Sequence, residues 1–160
     1  MDHHCPWVAN CIGFYNYKFF MNMLFHCAVT TLIIVLTSYP IIRRTVKAPE
    51  SFSYMWSYMI MTSYILACVL NFVITLFFIF HLYLICCQYT TIEFCEKRND
   101  DDNTFHTRMP YNRGALQNFR SIFGYQVIFW FVPFYPNYEG DGIIFKLNHE
   151  LERQNRMRGR

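Results

Sequence analysis

Two long stretches without Asp, Glu, Lys or Arg, at residues 19–42 and 51–92, constrain the fold of this 160-residue chain. About 20 consecutive apolar residues cross the hydrocarbon core of a bilayer as an α-helix. The first stretch therefore fits one membrane helix, and the second fits one helix with an approach segment. Only 16 % of the residues are charged, against about 25 % in soluble domains. The sequence thus predicts an all-α integral membrane protein with two transmembrane helices.

Two membrane helices place both ends of the chain on the same side of the bilayer. Pro40 and the basic residues that follow it are expected to end the first helix. An aromatic stretch at residues 121–138, broken by Gly124 and two prolines, is expected to pack against the membrane face. The predicted segments are a polar Cys/His segment at 1–18, a transmembrane helix at 19–42, an extracytosolic loop with interfacial aromatics at 43–61, a transmembrane helix at 62–87, a cytosolic C-terminal region at 88–145 and a basic tail at 146–160.

The seven cysteines, at positions 5, 11, 27, 68, 86, 87 and 95, form an odd set that lies largely in or beside the membrane segments. Such a set is a poor disulfide framework, which favours reduced thiols facing the cytosol. The basic residues near the helix ends are almost balanced between the two sides, so the thiols, not the charges, place the chain ends in the cytosol. The net charge of +3 is modest. Nothing resembles a nucleic-acid site, so no nucleic-acid partner is expected.

The richest chemistry lies at residues 2–5, where Asp2, His3, His4 and Cys5 follow one another. A proline after Cys5 favours extended backbone, in which side chains alternate between two faces. His3 and Cys5, with Trp7, would share one face, and His4 would lie on the other. A neighbouring imidazole can take the proton of a cysteine thiol and so create the nucleophilic thiolate. Asp2 could orient His3 only if the chain turns between them, since strict alternation keeps them apart.

The same residues also suit a zinc site, because Cys and His are the usual ligands of structural zinc. One alternative makes His3, His4, Cys5 and Cys11 all ligands. A mixed assignment gives His4 and Cys11 to the metal and leaves the other two to react. Two ligands cannot close a tetrahedral site, so the remaining ligands would come from outside this chain. Spacing alone leaves these assignments open, together with a cluster that has no function.

Three motifs resemble one known family. The string D-H-H-C-P-W-V-A-N-C-I-G-F-Y-N-Y-K-F-F at residues 2–20 resembles the core of the DHHC family of protein S-acyltransferases, or palmitoyltransferases. T-T-I-E at residues 90–93 resembles the T-T-x-E motif of that family, and Y-N-R-G-A-L-Q-N at residues 111–118 resembles its C-terminal motif. Ala9 and Asn112 depart from the common pattern at positions that are not catalytic in the family.

The resemblance implies a protein-cysteine S-palmitoyltransferase. Cys5, activated by His3 with Asp2 behind it, would attack a long-chain acyl-CoA and pass the acyl group to cytosolic cysteines of protein substrates. Zinc would be structural. The further roles implied by the resemblance are zinc binding by His4 and Cys11, a position near the thioester for Trp7, lining of the acyl cavity by Phe20, a bond to the catalytic acid from Thr91, and anchoring of the C-terminal segment by Asn118.

The resemblance also implies that the two helices are the third and fourth of a four-helix family bundle. Residues 1–18 would then be the end of the zinc-bound cysteine-rich domain. The chain is therefore expected to be a truncated fragment, and as such to have little activity alone. The alternative function is a catalytically inactive, zinc-stabilised membrane adaptor. The juxtamembrane cysteines are themselves candidates for palmitate attachment; they are Cys86, Cys87 and Cys95.

Overall fold

The computed structural model describes residues 1–99, 111–135 and 141–145 together with positions 148, 153 and 157. Part of the predicted C-terminal region at 88–145 and most of the predicted basic tail at 146–160 lie outside the described residues. Within the described parts the protein is mainly helical, with four α-helices and one small β-hairpin. The predicted all-α membrane architecture is therefore confirmed, and the hairpin is its one addition.

The chain begins with an antiparallel hairpin of two three-residue strands, β1 (His3–Cys5) and β2 (Asn10–Ile12). A 3-10 turn at Pro6–Val8 connects the strands. In this register His4 faces Cys11 and Cys5 faces Asn10. The hairpin therefore carries most of the chemistry-bearing residues on two short paired strands.

Asn16 fastens this hairpin to the first long helix. Its side-chain oxygen accepts a hydrogen bond from the Gly13 amide at 2.7 Å, and its side-chain nitrogen donates to the Cys11 carbonyl at 2.8 Å. Helix α1 begins at the next residue, Tyr17, whose amide donates to the Gly13 carbonyl. The hairpin and the helix start are consequently held as one local structure.

Helix α1 spans Tyr17–Lys47 and extends beyond the predicted segment 19–42 at both ends. The prediction that Pro40 helps to end this helix is wrong, because Pro40 lies inside α1. A proline removes one backbone hydrogen bond, but the turns after it continue, up to a bond from the Ala48 amide to the Arg44 carbonyl at 3.0 Å. The 31 residues of α1 reach about 46 Å, at roughly 1.5 Å per residue.

Helix α2 spans Tyr54–Cys87, so it begins before the predicted residue 62 and ends at the predicted residue 87. Its N-terminus is capped by the Ser53 hydroxyl, which accepts a hydrogen bond from the Trp56 amide at 3.3 Å. Serine is a preferred residue for this position. Tyr54 and Trp56, two of the aromatics predicted to lie at the interface, therefore belong to the first helical turns and not to a loop.

The end of α2 turns sharply at Gln88, which has a positive φ of 55°. The Tyr89 amide donates to the Leu84 carbonyl, and the Gln88 amide donates to the Ile85 carbonyl. These two bonds form a Schellman motif, in which glycine is the usual residue at the left-handed position. The turn directs the chain from the end of α2 into the next helix.

Two short helices follow, α3 (Thr91–Asn99) and α4 (Ala115–Phe123). Asn118 of α4 is fully buried, and its side-chain nitrogen donates to the Cys86 carbonyl at 2.8 Å. The same nitrogen donates to Asn112 Oδ1 at 2.9 Å, and Asn118 Oδ1 accepts from the Arg113 amide at 3.1 Å. This one side chain therefore ties α4 and the residues before it to the end of α2.

The segment at residues 141–145 contacts the residues that follow the hairpin. The Tyr15 hydroxyl donates to the Asp141 carbonyl oxygen at 2.8 Å. The amides of Ile144 and Ile143 donate to Asp141 Oδ1 at 3.0 Å, and these bonds lower the pKa of that carboxyl. The side chain of Asp141 thus closes a local turn, and its main chain fixes the segment beside Tyr15.

The chain divides into two compact units, one of Met1–Asn22 with Phe80–Arg160 and one of Met23–Ile79. The second unit contains the middle parts of α1 and α2, joined by a polar contact within it. Asn71 donates to the Ala28 carbonyl at 2.9 Å and to Thr31 Oγ1 at 3.0 Å. Side-chain hydrogen bonds of this kind are typical of helix pairs in membranes.

Both long helices are long and apolar enough to cross a membrane. Their apolar side chains are largely exposed: only 22 % of the most apolar stretch of α1 and 6 % of that of α2 is buried. A core helix of a soluble domain would bury such side chains against other elements. The exposed apolar surface is therefore suited to lipid.

Candidate active site

The hairpin separates its reactive side chains by alternation, as predicted for residues 3–5. Cys5 is buried, with 5 % of its surface exposed, and His3 is partly buried, whereas the intervening His4 is exposed. Side chains two residues apart in a strand share a face. The alternation does not reach Trp7, because Pro6 starts a 3-10 turn and the Trp7 side chain is 92 % exposed. His3 and Cys5 therefore share the inner face without Trp7.

Asp2 contacts His3 directly, although strict alternation would separate them. His3 Nδ1 and Asp2 Oδ2 are 2.6 Å apart. Asp2 precedes β1, so the alternation of the strand does not apply to it, and its carboxylate is buried. An imidazole that donates its Nδ1 proton to a carboxylate presents Nε2 as the base. His3 Nε2 is buried and makes no hydrogen bond within the described residues.

Thr91 holds the other side of the Asp2 carboxylate. The Thr91 amide donates to Asp2 Oδ1 at 2.9 Å, and its hydroxyl donates to Asp2 Oδ2 at 2.8 Å. Thr91 is the first residue of α3, where free amides and the helix dipole attract negative charge. The carboxylate is therefore oriented by three donors, two from Thr91 and one from His3.

The remaining residues of the T-T-I-E motif build the start of α3. The Thr90 amide donates to Glu93 Oε2 at 2.8 Å, and the Glu93 amide donates to Thr90 Oγ1 at 3.2 Å. These reciprocal bonds form a capping box. Thr90 and Glu93 thus fix the helix start, and Thr91 between them is free to bind Asp2.

His4 and Cys11 lie opposite each other on the two strands, on the outer face of the hairpin. Cys11 Sγ is 3.1 Å from His4 Nδ1. His4 Nε2 lies 3.6 Å from the same sulfur, and this separation fits two neighbouring ligands of a tetrahedral zinc ion. Within the described residues no group of three or more potential ligands occurs. The pair is therefore a candidate for two of the four ligands that a structural zinc ion needs.

The structure places Phe20 beside His3 in the candidate active site and leaves the Trp7 side chain exposed. Phe20, in the first turn of α1, is buried, and its ring centroid lies 5.1 Å from that of His3. Trp7 lies at the tip of the hairpin with its side chain exposed. An exposed indole at the end of a hairpin is free to contact a lipid or a substrate.

Sequence reasoning gave no role to Tyr17 and His81, which form a bonded pair beside His3. The Tyr17 hydroxyl and His81 Nδ1 share a hydrogen bond of 2.9 Å, and the His81 ring lies 5.6 Å from that of His3. His81 is the one His, Asp, Glu, Lys or Arg residue in the long run at residues 51–92. An ionisable group in a membrane segment is a signal of function, and it could have identified this residue.

A buried cysteine beside an imidazole–carboxylate pair, in a protein with two membrane-length helices, is typical of a membrane enzyme that acts through a thiol. The comparisons with known proteins agree. A family model described as DHHC palmitoyltransferase matches residues 1–98, more than half of the chain. This chain belongs to the DHHC palmitoyltransferase family, as its motifs predict.

Curated relatives of the chain have names that state the same kind of enzyme. The chain is 33 % identical over 151 residues to the Probable protein S-acyltransferase 12 of Arabidopsis thaliana, with 89 % of this chain and 48 % of the relative covered. It is 32 % identical over 159 residues to Palmitoyltransferase ZDHHC15 of Homo sapiens, with 97 % and 45 % covered. The chain spans about half the length of the curated relatives it matches.

Proposed function

We propose that this chain carries the catalytic centre of a protein-cysteine S-palmitoyltransferase that takes a long-chain acyl group from acyl-CoA. The observation that carries the proposal is the hydrogen-bonded series from Thr91 through Asp2 to His3, with Cys5 on the same strand face as His3. This arrangement supplies a thiol, a base and a group that orients the base. The names of the relatives support acyl transfer as the reaction.

In the first step the Cys5 thiol transfers its proton to His3 Nε2, and the sulfur attacks the carbonyl carbon of the acyl-CoA thioester. The bond between that carbon and the CoA sulfur breaks, and CoA leaves as a thiol with the proton from His3. The Asp2 carboxylate stabilises the imidazolium that forms between these two transfers. The product is an acyl thioester on Cys5.

In the second step a cysteine of a protein substrate gives its proton to His3, and its sulfur attacks the acyl carbonyl on Cys5. The bond to the Cys5 sulfur breaks, and Cys5 regains a proton from His3. Both steps exchange one thioester for another, so no oxidant, reductant or further energy source is required. The same three residues of the chain therefore serve both half-reactions.

A position at the membrane suits a substrate with a long acyl chain. Each methylene group left in water costs about 0.8 kcal/mol, so an acyl chain is best accepted directly into an apolar environment. Phe20, buried beside His3 at the start of α1, is in place to line the beginning of that environment. Trp7, exposed at the hairpin tip, is accessible to the thioester end of the substrate.

Zinc is proposed as a structural ion held in part by His4 and Cys11, with the remaining ligands supplied from outside this chain. When bound, it would fix the fold of the hairpin and take no part in the acyl transfer. The outer face of the hairpin would then serve the metal, and the inner face would serve the reaction. Asn118 would support the site from a distance by holding α4 to the end of α2.

The active face is proposed to be cytosolic, with residues 19–42 and 62–87 in the membrane and residues 43–61 on the far side. All seven cysteines are free thiols, which supports the reducing environment of the cytosol for the chain ends. The protein substrates would then present cysteines on the cytosolic side of the bilayer.

The test is acylation of the whole protein that carries this chain, in membranes supplied with palmitoyl-CoA that carries a label. We expect a hydroxylamine-sensitive label on the peptide that contains Cys5, identified by mass spectrometry. Cys5→Ser should lose this label. Cys95→Ser, which changes an exposed cysteine of α3, is the matched control and should keep it.

Absence of an acyl group from Cys5 in folded protein would refute the proposed reaction. A protein that binds zinc and stays folded without any acylation would favour the inactive adaptor instead. Labelling of Cys86, Cys87 or Cys95 alone would show that the chain is a substrate and not a catalyst of acylation.

A further inference from the structure

A buried hydrogen bond between Tyr17 and His81 lies next to the candidate active site and has no part in the chemistry proposed above. Tyr17 is the first residue of α1, and His81 lies near the end of α2. The hydroxyl oxygen and His81 Nδ1 are 2.9 Å apart. His81 exposes only 1 % of its surface. A buried polar group in an apolar helix is costly unless it is bonded, so each of these two side chains depends on the other for this hydrogen bond.

The His81 ring packs against His3 as one member of an aromatic cluster of four rings, those of His3, Tyr17, Phe20 and His81. The centroid of His3 lies 5.1 Å from that of Phe20 and 5.6 Å from that of His81. The rings of Phe20 and His81 are 5.0 Å apart and nearly perpendicular, at 77°. His3 is therefore bounded by two rings that also contact each other.

This packing limits how the His3 imidazole can turn. The ring turns about its Cβ–Cγ bond, and such a turn would break the hydrogen bond of Nδ1 to Asp2 at 2.6 Å. The rings of Phe20 and His81, which pack against the imidazole, restrict the same turn. The His81 ring is in turn held by Tyr17, so the bond of Tyr17 fixes one of the two rings that bound His3.

We propose that Tyr17 and His81 form a positioning pair, whose hydrogen bond holds the His81 ring against His3 and so keeps Nε2 of His3 aligned with Cys5. In this role the pair acts through His3 and needs no contact of its own with the substrate or the reacting sulfur. This inference rests on the proposed function, because it assigns the pair to the same base and nucleophile. Misplacing a catalytic group by about 1 Å can cost about a hundredfold in rate, so a loose imidazole has a measurable effect.

The test compares Tyr17→Phe, His81→Phe and the double variant in the whole protein. Each single change keeps an aromatic ring and removes the bond. We expect each to slow loading of Cys5 by palmitoyl-CoA about tenfold, with KM for palmitoyl-CoA within about twofold of wild type. Because one bond is lost in all three, the double variant should be no slower than the slower single variant. Tyr83→Phe, an exposed tyrosine in α2, is the control and should load at the wild-type rate.

Wild-type loading by folded Tyr17→Phe, a rise in KM without loss of rate, or single effects that multiply in the double variant would each overturn the proposal. If His81→Phe does not fold, Tyr17→Phe decides alone, since it removes a single oxygen atom. A second readout separates this inference from the proposed function: the rate at which iodoacetamide alkylates Cys5. If wild type takes no acyl group, slower alkylation in both variants still supports the positioning pair, and unchanged alkylation refutes it.

Discussion

Thr91 donates two hydrogen bonds to Asp2 from a position 89 residues away in the sequence, through its amide at 2.9 Å and its hydroxyl at 2.8 Å. The contact joins the start of α3 to the residue before β1. Because Asp2 also binds His3, the position of the imidazole depends on a helix that begins after both membrane segments. The T-T-I-E motif therefore belongs to the candidate active site as well as to a helix cap.

Replacing Thr91 with valine should weaken this link without changing the shape of the side chain. Thr91→Val removes the hydroxyl bond and keeps the amide bond. A hydrogen bond to a charged group contributes about 1.5–3 kcal/mol, and a loss of about 1.4 kcal/mol in transition-state stabilisation is tenfold in rate. We expect about tenfold slower loading of Cys5 in a single-turnover assay. Thr62→Val in α2, at an exposed position, should have no effect, and a wild-type rate for Thr91→Val would contradict the prediction.

Substitutions on the outer and inner faces of the hairpin should differ in their effect on the zinc content of the protein. Cys11→Ser and His4→Ala should each lose most of the bound zinc, because a structural site needs four ligands. Cys5→Ser should keep its zinc and lose only acylation, since Cys5 lies on the inner face. The measurement is the metal content of purified whole protein, with the exposed Cys27→Ser as control. Loss of zinc from Cys5→Ser would instead support the assignment of all four residues as ligands.

Asn118→Ala should detach α4 from the end of α2. The change removes three hydrogen bonds of a fully buried side chain. At about 1 kcal/mol each, the loss should lower the free energy of unfolding by about 3 kcal/mol. Thermal unfolding in detergent measures the effect. Gln117→Ala, at the exposed neighbouring position in α4, is the control. Equal melting temperatures for the two variants would refute the anchoring role.

Gln88→Gly should stabilise the protein, although glycine usually has the opposite effect. Gln88 has a positive φ of 55°, a conformation that costs a residue with a side chain about 1–2 kcal/mol. Its side-chain oxygen is also buried without a hydrogen bond in the described chain. We expect the free energy of unfolding, measured by thermal unfolding, to rise by about 1 kcal/mol. Gln117→Gly inside α4 should cost about 1 kcal/mol, so effects of the same sign would contradict this account.

Local patterns in the sequence predicted a large part of this structure. The two uncharged runs predicted both long helices, because a helix that crosses lipid must be apolar over its full length. The alternation of side chains along an extended strand correctly predicted that His3 and Cys5 share one face and that His4 lies on the other. Helix ends were less accurate: Pro40 lies within α1 because neighbouring turns keep their hydrogen bonds, and the Ser53 cap starts α2 before the predicted residue 62.

The sequence by itself determined the membrane helices, the family motifs and the two faces of the N-terminal strand, because each depends on neighbours along the chain. Only the tertiary structure decided which distant residues meet at His3. Thr91 reaches Asp2 because the turn at Gln88 redirects the chain after α2. His81 reaches Tyr17 and His3 because the end of α2 lies beside the start of α1. Local periodicity carries no information about such contacts, since they depend on how separate elements pack.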